Sequence, residues 1–128
     1  MRDKPVIVAL DVESPEEARD LVRRIGPDIS IYKVGMELYC AAGMDFVREL
    51  LSQGKEVFLD LKFYDIGETV KRAVAQVARS GVRFLTVHAS GAVMRAAVEG
   101  RGSSRLWWRS LVMPHDSRGV AGSAGPGT

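Results

Sequence analysis

FLDLKFYDIG, residues 58–67, sets charged residues into an apolar run. Its first half reads as a buried strand, yet Asp60, Lys62 and Asp65 stand within it and just past it. Charged groups are rarely buried unless they are paired or take part in chemistry. Side chains alternate along a strand, so Phe58, Asp60 and Lys62 are expected on one face. Leu59, Leu61 and Phe63 fall on the other, an apolar face suited to packing under helices.

Working outward, the same rhythm recurs. PVIVALDV (5–12) and ISIYKVGM (29–36) precede EVFLDLKF (56–63), and VRFLTVHA (82–89) follows it; all four are β-rich apolar runs. Between the first two lies a helix with a complete start signal: Ser14 as N-cap, Pro15 at the first helical position and Glu17 closing a capping box. Ala18, Leu21, Val22 and Ile25 form its apolar stripe, and Gly26 stops it. The second helix is expected from about Met44 to Ser52, with Phe46, Val47, Leu50 and Leu51 inward. The third runs from Glu68 to Arg79 on Val70, Val74, Val77 and Ala78, and GAVMRAAVEG opens a fourth. Strands separated by single helices predict βαβ units and a parallel sheet.

Each strand turns polar on one face near its C-terminal end. Asp11 follows Ala9, Lys33 follows Ile31, Asp60 and Lys62 follow Phe58, and His88 follows Thr86. Parallel α/β folds place their active sites at that end of the sheet. If the shared face lines a (β/α) barrel, Asp11, Lys33, Asp60, Lys62 and His88 converge on one mouth, where opposite charges offset the cost of burial. Plainer readings stand beside this one: a structural Lys33–Asp60 ion pair, a satisfied structural His88, an Asp11 that caps a loop. Met36 and Met44 read as core filler, and Cys40, the sole cysteine, as a small buried hydrophobe.

Composition narrows the field. The chain has 128 residues, 46% hydrophobic and 27% charged, an ordinary balance for one modest core. No apolar run is long enough to span a membrane and one cysteine makes no internal disulfide; no signal peptide is expected in the first residues, and a cytoplasmic home is expected. Residues 1–100 carry 14 Lys/Arg against 15 Asp/Glu, whereas residues 101–128 carry four Arg against one Asp. The excess basicity belongs to the tail, so the body shows no footprint for nucleic acid.

The motif D-x-K-x-x-D at Asp60, Lys62 and Asp65 resembles the orotidine 5′-phosphate decarboxylase superfamily. IVALDV, YKVGMEL, FLDLKFYDIGETV and TVHASG fit it in collinear order over about residues 5–100. The resemblance implies the N-terminal half of a (β/α)8 TIM barrel, about four βα units in residues 1–100, and an irregular tail over 101–128. It also implies the decarboxylation of orotidine 5′-monophosphate to uridine 5′-monophosphate. Asp11 and Lys33 would hydrogen-bond the ribose hydroxyls, and Asp60 would sit beside the substrate carboxylate. Lys62 would stabilise the carbanion at C6 of the pyrimidine and then protonate it. Asp65, Ile66 and Thr69 would reach into the partner subunit's site in a homodimer, and His88 would line the mouth. Tyr64, Gly67 and Glu68 stand where many members have His, Pro and Asn.

A metal-dependent branch of the superfamily, acting on sugar phosphates, carries an acid at the strand-two position to help hold Mg²⁺. Lys33 stands there in this chain and would repel a metal. The implied branch uses no metal or cofactor; the metal-dependent sugar-phosphate enzyme and a non-catalytic half-barrel acting by association are the alternatives. After Gly100 the rhythm breaks into Gly-, Ser- and Arg-rich sequence with both tryptophans. No strand period is recognisable there outside the run LWWRSLVM, and GVAGSAGPGT is expected to be disordered. A truncation or a shifted reading frame from about residue 101 is the expectation, with a native disordered tail as its competitor. The family's later phosphate-binding loops are not recognisable either, so low activity is expected of the chain alone.

Overall fold

The computed structural model describes residues 6–111 and 121–124, with side chains over 6–106. Strands and helices alternate: β1 (Ile7–Ala9), α1 (Pro15–Ile25), β2 (Ile31–Gly35), α2 (Met36–Ser52), β3 (Glu56–Phe63), α3 (Gly67–Ser80), β4 (Phe84–His88), α4 (Gly91–Arg101), β5 (Trp107–Leu111) and β6 (Ala121–Ala124). The chain divides into two compact units, Met1–Asp60 and Leu61–Thr128, and β3 crosses from one to the other. Among the described residues no helix is long and apolar enough to cross a membrane.

In the first unit β1, β2 and the start of β3 pair in parallel, with Ala9 opposite Lys33 and Lys33 opposite Phe58. Leu10, Tyr32, Val34, Val57 and Leu59 are buried, as alternation requires of the face beneath the helices. The opposite face is far more open: Ile7 and Ala9 are exposed, while Lys33, Phe58 and Asp60 are half-buried. Helix α1 starts as its sequence predicts. The Ser14 hydroxyl accepts from the Glu17 amide at 3.1 Å, and Gly26 ends the helix with φ +80°. Ala18 and Val22 are buried, whereas Leu21 and Ile25 are half-buried. Arg19 donates its Nε to both Glu49 carboxylate oxygens, at 2.8 and 3.0 Å, tying α1 to α2.

Helix α2 departs from expectation. It begins at Met36, eight residues before the expected Met44, and breaks at Gly43, where φ is +68° and ψ −168°. The stretch MELYCAA thus makes a separate helical turn, with only Leu38 buried among its residues. Met36 is 55% exposed and Cys40 is exposed, which corrects their reading as core residues. Both lie in the short segment before the kink at Gly43. Beyond the kink, Phe46, Val47 and Leu50 are buried as expected.

In the second unit α3 and α4 pack together. Val70, Val74 and Val77 supply the α3 stripe, and Gly81 closes the helix in the left-handed conformation. Gly100 on α4 lies against the Lys71 carbonyl of α3, so closely that a Cβ there would overlap it. Strand β4 buries Leu85, Thr86 and Val87. The expectation of an irregular segment after residue 100 is corrected at two places. Trp107–Leu111 forms β5 in parallel register with β4, Phe84 opposite Trp107 and His88 opposite Leu111. Ala121–Ala124 forms β6, antiparallel to β5. A fifth strand is therefore present, within the run LWWRSLVM. The rest of the tail expected to be disordered, 112–120 and 125–128, lies outside the described residues.

Candidate active site

The candidate residues fall in both units, and each set has its own geometry. In the first unit, Asp60 enters at the end of the paired part of β3, opposite Gly35, while Lys33 lies one pleat back on β2, opposite Phe58. This diagonal brings Lys33 Nζ to 3.7 Å from Asp60 Oδ2. The side chains are 30% and 17% exposed, so the pair is sheltered without being sealed from water. The acid and the base read from separate strands are thus brought together. Asp11 is exposed, two residues beyond Ala9; β1 is held there by the Leu10 amide, which donates to the Lys33 carbonyl at 3.0 Å.

In the second unit, Lys62 is exposed rather than buried, and its backbone is unusual. Its φ is +52°, the one positive value at a non-glycine position among the described residues. An L-residue pays a steric cost there, because its Cβ crowds the following carbonyl. The strict strand alternation expected to place Lys62 therefore does not run through it: the left-handed residue resets the direction of its side chain. The Lys62 amide donates to the Thr86 hydroxyl of β4 at 2.9 Å. Thr86 is 2% exposed and was not among the candidate residues. The only sequence signal for it was its place two residues before His88 on the polar face of β4.

Past β3, Asp65 is exposed and accepts from the Ile66 amide at 2.7 Å, just ahead of α3. Ile66 is 71% exposed, a large apolar side chain left uncovered, and Thr69 is exposed in the first turn of α3. His88 ends β4 half-buried, and its buried Nδ1 has no hydrogen-bond partner. Its ring lies against that of Tyr64, centroids 4.1 Å apart and planes inclined by 32°. Tyr64, just past β3, thus meets His88 at the end of β4.

Alternating strands and helices, parallel pairing and charged residues at strand C-termini define an α/β chain of the (β/α)-barrel kind, with its candidate site at the strand ends. Comparison with known proteins narrows this. A family model described as Orotidine 5'-phosphate decarboxylase / HUMPS family matches residues 4–120, and the chain belongs to that family. An orotidine 5'-phosphate decarboxylase of Nitrobacter winogradskyi is 56% identical over 101 residues, covering 79% of this chain and 42% of that protein. One of Bradyrhizobium diazoefficiens is 48% identical, covering 79% and 43%. Among solved structures, orotidine 5'-phosphate decarboxylase from Lactobacillus acidophilus superposes with a TM-score of 0.71 at 40% identity, over 77% of this chain and 45% of that one. An uncharacterized conserved protein from Geobacillus kaustophilus gives 0.70 at 46% identity. The chain spans under half the length of the curated relatives it matches. The family match continues to residue 120, beyond the change of composition at Gly100.

Proposed function

We propose that this chain carries the charged machinery for decarboxylating orotidine 5′-monophosphate to uridine 5′-monophosphate. Family membership supplies the reaction class, and the Lys33–Asp60 pair at 3.7 Å is the observation that carries the reading. A cation already engaged with the β3 carboxylate suits a site that handles an anionic substrate. It does not suit a site that gathers carboxylates around a divalent ion.

In this reading Asp11 and Lys33 hold the ribose hydroxyls, and Asp60 stands beside the departing carboxylate. When the bond to CO2 breaks, its electron pair stays on C6 of the ring. The Lys62 ammonium stabilises that developing charge, and then a proton passes from Nζ to C6. Loss of CO2 and gain of one proton balance the reaction, and the lysine regains its proton from water. Asp65, Ile66 and Thr69 serve the second site of a homodimer, and the wide exposure of Ile66 supports a surface that a partner subunit covers. His88 lines the mouth. The homodimer, a cytoplasmic location and the absence of any metal or cofactor requirement belong to the same proposal. Turnover by this chain alone is proposed to be slow: it spans under half the length of its relatives, and binding energy remote from the reacting carbon lowers the chemical barrier.

The test is formation of uridine 5′-monophosphate from orotidine 5′-monophosphate by the purified chain, followed by chromatography over long incubations. Product above the uncatalysed background, lost in Lys62→Ala, is the expected result. No product, or equal product from Lys62→Ala, sinks the proposal.

A further inference from the structure

The conformation of Lys62 demands a cause. Among the described residues five glycines share its positive φ, at positions 26, 43, 54, 81 and 102, and none of them has a Cβ to crowd. A lysine keeps a left-handed backbone only when its surroundings hold it there. One partner in the second unit is Thr86, whose hydroxyl accepts the Lys62 amide proton at 2.9 Å. Thr86 is well suited to the task. It is β-branched, so its χ1 is stiff, and its neighbours Leu85 and Val87 are fully buried and fix β4 around it. Two residues further along β4, His88 meets the ring of Tyr64, two residues beyond Lys62. The end of β3 is therefore gripped on either side of its bend by successive residues of one face of β4.

We infer that Thr86 is a positioning residue: its buried hydroxyl holds the backbone of Lys62 in the left-handed conformation and so sets where the Lys62 ammonium points. This deepens the proposed function and rests on Lys62 as the proton donor of that reading. Valine matches threonine in shape but offers no acceptor. Serine keeps the acceptor and loses a methyl group. The two variants separate the hydroxyl from the packing.

The deciding measurement is amide hydrogen exchange of the whole chain by NMR, for wild type, Thr86→Val and Thr86→Ser. Thr86→Val is expected to speed exchange of the Lys62 amide by about three- to tenfold, the equivalent of one hydrogen bond. The amides of Val70 and Val87 should hold their protection, and Thr86→Ser should match wild type. The steady-state counterpart is a fall in kcat with little change in KM for Thr86→Val, restored by Thr86→Ser. An unchanged Lys62 amide in Thr86→Val overturns the inference. So does a serine variant that behaves like valine, or a loss of protection spread over β4 and α3, which marks a general packing role. If the chain forms no product, the proposed function fails, and the exchange comparison still decides whether Thr86 holds Lys62.

Discussion

Lys33 Nζ lies 3.7 Å from Asp60 Oδ2 across two neighbouring parallel strands, a diagonal set by the register that places Lys33 opposite Phe58. The pair is partly sheltered, so its attraction is screened less than that of the surface pairs Arg48–Asp45 and Arg72–Glu68. A double-mutant cycle with Lys33→Met and Asp60→Asn should give a coupling of about 1 kcal/mol, read from denaturant midpoints. Asp60 has further interactions, so Lys33→Met alone should leave the fold intact. A coupling near zero would show that the two charges are brought together without stabilising each other.

The backbone at Lys62 predicts an inversion of the usual order of small residues. At an ordinary strand position alanine is more stable than glycine. At φ +52° glycine escapes the steric penalty that alanine keeps, so Lys62→Gly should exceed Lys62→Ala by about 1 kcal/mol. Both variants lack the ammonium, so the comparison isolates the backbone. Equal midpoints, or alanine ahead, would mean that the conformation is not strained.

Tyr32 is fully buried in β2, and its hydroxyl has no hydrogen-bond partner. Burial raises its pKa above the ordinary 10.0. A group whose pKa is higher in the folded state contributes stability that is fully present below its unfolded value. That contribution is lost as pH rises through the folded value. The wild type should therefore weaken above about pH 10 through this group, and Tyr32→Phe should flatten that limb. Phenylalanine also removes an unsatisfied buried hydroxyl, so it should be neutral or more stable by about 1 kcal/mol at pH 7. A clear loss of stability at neutral pH would reveal a partner for the hydroxyl.

Gly100 lets α4 approach α3. A Cβ there would overlap the Lys71 carbonyl and lie 3.0 Å from Val74 Cβ. Alanine gains about 1 kcal/mol of helix propensity over glycine, but the clash falls on backbone, which cannot swing aside. Gly100→Ala should therefore lower stability by about 1–2 kcal/mol, measured by urea unfolding. Ser14→Ala serves as a local control. It should cost about 1 kcal/mol through the lost cap on the Glu17 amide.

Local sequence signals carried much of the architecture. The bounds of β3 at Glu56 and Phe63 agree with the apolar run, because the β propensity and the flanking turns lie within the segment itself. The start of α1 followed from Ser14 and Pro15 for the same reason. Signals weaker than their context were misread. MELYCAA has no stripe of its own, and its helix continues from the end of β2 until Gly43 breaks it. WWRSL, inside the run LWWRSLVM that the sequence sets apart in the tail, became β5 by pairing with β4, a partner some twenty residues away that no local pattern can name.

The alternation of strands and helices, the buried stripes and the positions of the charged residues near the strand ends are legible along the chain, because periodicity and capping act over a few residues. Tertiary structure decided which charges meet and how Lys62 is held. The diagonal from Lys33 to Asp60 depends on strand register. The left-handed turn at Lys62 comes with a hydroxyl supplied from another strand. Such relationships are set by distances between segments far apart in the chain, and these exist only after the backbone has folded.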